Sequence, residues 1–115
     1  MQRGDIYQAE LRPRSGSEQQ GRRPVLIVSH DGFNQTPTWR SIIVVPITTS
    51  SNQRRRGPTA VVLPQGAGGL LRDSIALCHQ VTTLDRSKLT HQIGALSPEL
   101  LSDVEAGLKA ALNLT

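Results

Sequence analysis

The sequence predicts a small, mainly β protein: a compact antiparallel barrel of short strands with one C-terminal helix covering an end. Two observations carry that prediction. Short apolar stretches recur at close spacing, separated by irregular segments rich in Gly, Pro, Ser, Thr and Asn. Only the last stretch repeats its apolar positions at helical spacing. No internal repeat, linker or shift in composition divides the 115 residues, so one domain spanning 1–115 is expected.

The elements follow in order. Asp5–Leu11 alternates apolar and polar residues, the period of a half-buried strand. Pro13 ends it, and residues 12–23 form a polar loop. Residues 25–29 are a continuous apolar run, as in a strand buried on both faces; residues 31–40 are a second loop. Ser41–Thr48 is the most β-rich stretch, and its Pro46, lacking an N–H, predicts a bulge or a sheet edge. A basic loop over 49–58 leads to a strand at 59–63, a glycine-rich turn at 64–69, and strands at 73–78, 80–84 and 92–95, with a helical turn over 85–89. The helix starts at Ser97 as N-cap, with Pro98 at its first position and Glu99 at the positive end of the dipole. Leu100, Leu101, Val104, Leu108, Ala111 and Leu112 then share one face.

Composition bounds the function. With 37% hydrophobic and 19% charged residues the chain is globular rather than disordered. No apolar run reaches the ~20 residues of a membrane span and no signal peptide opens the chain, so a cytoplasmic protein without membrane contact is expected. The lone Cys78 excludes an internal disulfide and reads as a small core residue. Net charge is +4, and eleven of the 13 basic residues are Arg. Arg suits phosphate through its rigid double donor, whereas a GC-rich genome enriches Arg for reasons unrelated to binding. The three His, 49 and 12 residues apart, match no metal motif, so neither metal nor cofactor is expected. Aromatic residues make up only 3%, which argues against a sheet-borne stacking platform. Tyr7 is expected in the core, leaving Trp39 the best exposed candidate beside Phe33.

The stretch with the densest chemistry is Gly16-Ser17-Glu18-Gln19-Gln20-Gly21-Arg22-Arg23-Pro24, running into Val25-Leu26-Ile27-Val28. A glycine-bounded loop gathers a carboxylate, amides and two guanidiniums, then is pinned by proline at the mouth of a strand. Arg23 there either presents a fixed double donor to a phosphate or bridges Glu18 or a strand carbonyl. Glu18 and Gln19 either support Arg23 or are a solvated loop. Arg54-Arg55-Arg56 either closes over a polyanion or is a solvated charge run.

Together with Arg3-Gly4-Asp5-Ile6-Tyr7, Val45-Pro46-Ile47-Thr48, Pro58-Thr59, Asp73-Ser74, Cys78-His79-Gln80, Thr83-Leu84-Asp85, Ile93-Gly94 and Leu96-Ser97-Pro98-Glu99, that stretch resembles the MazF/PemK family of toxin endoribonucleases over nearly the whole chain. The resemblance implies an SH3-like barrel, a homodimer, and sequence-specific, metal-independent cleavage of single-stranded mRNA. It also implies neutralisation by a MazE-like antitoxin, with DNA reached only through the antitoxin complex. Carried onto this sequence, it implies catalytic roles for Arg23 and Thr48. It places Ser17, Glu18, Gln19, Arg22, Thr49, Arg54, Arg55, Arg56 and Gln80 on the RNA. This chain departs from the family at His79, where Asp is frequent, and at Thr82, where Arg is frequent; His79 is thus a candidate base or an interface residue.

Metal-free RNA cleavage needs the 2′-hydroxyl deprotonated, the leaving 5′-oxygen protonated, and the extra charge on the phosphorane stabilised. A guanidinium with pKa above ~12 suits the third task best. The alternatives are a CcdB-type toxin, which poisons DNA gyrase by protein contact without a nuclease site, and a passive single-strand RNA binder. The 18–24 loop with Thr48 favours the nuclease.

Overall fold

The computed structural model describes residues 1–11, 21–50, 52 and 57–115. Those residues form one antiparallel sheet of seven strands: β1 (Asp5–Leu11), β2 (Gly21–Ile27), β3 (Ser41–Thr48), β4 (Ala60–Leu63), β5 (Ser74–Leu77), β6 (Thr82–Asp85) and β7 (Leu89–Ala95). Two α-helices accompany them, the four-residue α1 (Asp31–Asn34) and the C-terminal α2 (Pro98–Leu112). The order is β4-β5-β3-β2-β1-β7, with β6 also paired to β3. The expected mainly β architecture with a terminal helix is therefore present, as a barrel-like sheet whose pairing does not close.

The strand-by-strand reading needs four corrections. β2 begins at Gly21, so Arg22 and Arg23 are strand residues rather than the end of a loop. A short helical turn, Cys78–Gln80, stands where strands were expected to meet. β7 starts at Leu89, three residues earlier than predicted. Pro46 lies neither at a sheet edge nor at a recorded bulge. On one side β3 pairs β2 through Pro46; on the other it pairs β6 through Val44 and β5 from Ile47. The missing N–H falls where β3 changes partner, so no ladder bond is lost there.

Alternation along β2 and β3 divides the core. Leu26, Val45 and Ile47 face one cluster with Ile6, Leu63, Cys78 and Val104 of α2, whereas Val25, Ile27, Ile42 and Val44 face a second with Ala9. The apolar run of β2 is thus buried on both faces, as its composition predicts. Each fully buried aliphatic side chain here contributes about 1.5–3 kcal/mol. α2 starts on a Ser97 side-chain cap to Leu100 N, with Pro98 in its first turn, and ends at Asn113 in the left-handed conformation. Cys78 is fully buried beneath it, and burial pushes its thiol up to about 11.

Two backbone features brace this frame. The turn of residues 67–69, with Gly68 at φ +56 and Gly69 at φ +83, lies directly on Gly94 of β7. Arg86 clamps the β2–β3 connection: Nε donates to Trp39 O, Nη1 to Asn34 O, and Nη2 to Phe33 O and Thr36 O, at 3.0 Å each. Lysine has no planar fork to span those carbonyls. Arg86→Lys is therefore expected to destabilise by about 1–3 kcal/mol, read as a lower urea midpoint; an unchanged midpoint would mean water replaces the clamp without cost. Among the described residues no helix is long and apolar enough to cross a membrane.

Candidate active site

Arg23 and Thr48 lie at the ends of neighbouring strands. β2 pairs β3 from Ile27–Val44 to Val25–Pro46; two residues beyond, Arg23 pairs with β1 and Thr48 pairs with Ile75 of β5. Alternation puts both side chains on the face shared by Val25, Ile27, Ile42 and Val44. Arg23 pairs with the fully buried Ala9 of β1, which fixes its backbone at the end of β2. The Arg23 side chain is exposed and its Nη1 donates only weakly to Arg22 O, at 3.4 Å. Thr48 is 8% exposed, and its Oγ1 accepts from Ser50 N at 3.2 Å. An exposed guanidinium at the end of β2 and a hydroxyl at the end of the neighbouring β3 are groups that can each donate to a phosphate oxygen.

The remaining candidates divide. Arg22 points to the opposite face from Arg23 and lies 3.9 Å from Glu10, its cross-strand partner. Thr49, exposed, follows β3 at the same end as Thr48. His79 and Gln80 sit in the turn that bridges β5 and β6, alongside Val45 and Pro46. That is two to three residues down β3 from Thr48, roughly 7–10 Å along the strand. The Gln80 amide nitrogen is buried there, with no hydrogen-bond partner among the described residues. Ser17, Glu18, Gln19, Arg54, Arg55 and Arg56 lie outside the described residues. Of the other two histidines, His30 caps α1 by accepting from Gly32 N at 2.8 Å, and His91 is exposed on β7. Among the described residues no group of three or more His, Cys, Asp or Glu side chains is placed to hold a metal.

Strong carboxylate shifts occur away from this pair, at the far end of β3. Hydrogen bonds from Ser87 and Arg40 hold the Asp85 carboxyl well below the usual range, and the Arg3 N–H and Asn34 do the same, less strongly, for Asp31. A depressed folded pKa stabilises the fold above the unfolded Asp value of about 3.9 and is lost as pH falls through the folded value. Stability is therefore expected to be level from pH 7 to about 5 and to decline below about 4. Urea midpoints should show a shallower acid decline in Asp85→Asn than in the parent; identical slopes would rule out Asp85 as a contributor.

The fold is that of a small, mainly β protein with an open antiparallel sheet and one terminal helix, and Arg23 and Thr48 stand at the ends of neighbouring strands of that sheet. The match to known proteins is specific. The family model described as PemK-like, MazF-like toxin of type II toxin-antitoxin system matches residues 2–112. Endoribonuclease EndoA of Bacillus subtilis is 37% identical over 115 residues, covering 99% of this chain and 96% of that protein. Endoribonuclease MazF of Staphylococcus saprophyticus is also 37% identical, over 99% of this chain and 92% of its own length. A solved mycobacterial endoribonuclease in complex with its cognate antitoxin superposes with a TM-score of 0.80 at 25% identity, covering 100% of this chain and 97% of that one. The chain belongs to the PemK-like, MazF-like toxin family.

The sequence reading missed Arg86, the clamp of the β2–β3 connection. Its carbonyl partners lie 47 to 53 residues away, a separation no local pattern encodes.

Proposed function

We propose that this endoribonuclease toxin cleaves single-stranded mRNA by attack of a ribose 2′-hydroxyl on the adjacent phosphate, leaving 2′,3′-cyclic phosphate and 5′-hydroxyl ends. The observation that supports the reading is the placement of an exposed Arg23 and of Thr48 at the ends of the neighbouring strands β2 and β3, in a chain of this endoribonuclease family. In this reading the Arg23 fork takes the two non-bridging oxygens, whose negative charge grows in the phosphorane, and Thr48 donates its hydroxyl to the same phosphate. The 2′-oxygen forms its bond to phosphorus as the 5′-oxygen leaves; one proton departs the first and one reaches the second. Electrostatic stabilisation is the better role for Arg23, because a guanidinium holds its proton at any working pH.

His79 and Gln80, set along β3 from Thr48, fit contacts to a neighbouring nucleotide better than to the reacting phosphate. Thr49 and the segments carrying Ser17, Glu18, Gln19 and Arg54 to Arg56 would extend the RNA path from both strand ends. Arg22, turned toward Glu10, serves the RNA only through its charge. The antitoxin-bound mycobacterial relative supports a cognate antitoxin as protein partner. A homodimer, cytoplasmic action on mRNA, and DNA binding through the antitoxin complex belong to the same reading.

Incubating the purified protein with mixed single-stranded RNA in EDTA tests it. Fragments ending in cyclic phosphate are expected. RNA that stays intact in EDTA but is cut with added metal would refute the metal-free chemistry, and RNA intact under both conditions would refute the nuclease.

A further inference from the structure

The chain has one phenylalanine, one tryptophan and one tyrosine. Two of the three form a single surface feature. Phe33 and Trp39 stack with ring centroids 4.6 Å apart and planes at 25°, yet remain 42% and 45% exposed. Aromatic rings contribute most to a fold when buried, so the exposure of both asks for a use. Their geometry is fixed from behind. The indole N–H donates to Ser41 O at 2.7 Å, and His30 meets Phe33 edge-on at 6.2 Å. The Arg86 clamp then holds the carbonyls of both aromatic residues. With its only polar atom satisfied, Trp39 offers a ring face rather than a hydrogen bond.

The surroundings discriminate between occupants. Residues 35–38, between the two rings, are Gln, Thr, Pro and Thr, and all are exposed. A protein interface needs about 800 Å² per partner with an apolar centre, and two rings in a polar setting fall far short. The charge behind the rings is positive. Arg86 donates to neutral carbonyls and pairs with no carboxylate among the described residues, while Arg40 beside Trp39 shares only Asp85. An exposed aromatic stack with the positive charges of Arg40 and Arg86 close by is what an unpaired base with its phosphates fits.

We propose that the Phe33–Trp39 pair is a second contact for single-stranded RNA, extending its stack with an unpaired base remote from the cleavage end. This inference rests on the nuclease reading. The pair flanks the start of β3 and Thr48 ends it, about 24 Å apart along the eight-residue strand. At the ~3.4 Å rise of stacked nucleotides that is about seven nucleotides, fewer where the strand is extended. Short substrates therefore reach only the cleavage end and long ones reach both.

Trp39 is the only tryptophan, so its emission reports on this surface alone. The test titrates the protein with 2′-O-methyl RNA of about twelve nucleotides, which has no free attacking hydroxyl, and follows that emission. Saturable quenching is expected. On cleavable RNA of the same length, Trp39→Ala should raise KM by about 5- to 150-fold, the equivalent of losing one stacked base, with kcat unchanged. Trp39→Phe should recover most of that loss, and RNA of about four nucleotides should be cut equally by all three proteins. An unchanged emission together with a parental KM in Trp39→Ala would overturn the proposal while leaving the nuclease reading intact. Quenching without any cleavage would overturn the nuclease and uphold the aromatic contact.

Discussion

Arg23→Ala is expected to slow RNA cleavage by about 10²–10³-fold at saturating substrate while the protein folds as before. The first half follows from what a pre-organised donor does at developing charge: removing one costs about 2.7–4 kcal/mol of transition-state stabilisation. The second half follows from placement. Among the described residues the exposed Arg23 side chain makes only a weak bond to Arg22 O, and it contributes to neither core cluster. The thermal midpoint should therefore match the parent. Arg23→Lys is the sharper variant, since it keeps the charge but loses the fork. Cleavage by Arg23→Lys at a rate near that of Ala would show that geometry matters; near that of the parent, charge alone. Arg23→Ala cutting RNA at the parental rate would remove the residue from the mechanism.

Gly94→Ala is expected to destabilise the fold strongly. A Cβ there would stand 2.2 Å from Gly68 O and 2.7 Å from Gly68 C, both main-chain atoms of the 67–69 turn. Neither can rotate away, so β7 and the turn must separate. Overpacking costs about 1–3 kcal/mol where side chains can yield, and more is expected where only backbone can move. A loss of about 3 kcal/mol corresponds to a thermal midpoint roughly 10–15 °C lower in a domain this size. Gly107→Ala provides the internal comparison. Its Cβ would meet Cys78 Sγ at 2.7 Å and Val61 Cγ2 at 2.8 Å, both side-chain atoms, and alanine returns about 1 kcal/mol of helix propensity. Gly107→Ala should thus melt well above Gly94→Ala. The reverse order would show that the 67–69 turn is softer than its contacts imply.

Much of the fold is legible in the sequence because local chemistry dictates it. Ser97 and Pro98 announce α2, Leu26 between Val25 and Ile27 announces a doubly buried strand, and the β-branched run of β3 announces itself. The errors share a cause. β2 overhangs its core at Gly21 to Arg23, where polar side chains hide a backbone that is still paired to β1. The Cys78–Gln80 turn exists because β3 exchanges β6 for β5 at Pro46, a decision made by residues more than thirty positions away. The Gly68–Gly94 crossing and the Arg86 clamp are equally non-local. The site shows the same division. Arg23 stands out as chemistry, but its link with Thr48 came from the family resemblance and not from periodicity, because which strand ends are neighbours is decided by non-local pairing. Phe33 and Trp39 were recognisable as aromatic residues; that they stack on each other was not.

The way Arg23 and Thr48 are held bears on how such a toxin can diversify. Arg23 is set by the pairing of β2 with β1, and Thr48 by the pairing of β3 with β5, so the sheet itself fixes both backbones. Under the proposed reading, RNA preference can drift through residues off the sheet while the phosphate contacts stay where strand pairing sets them, and one reaction can be kept while its targets are exchanged.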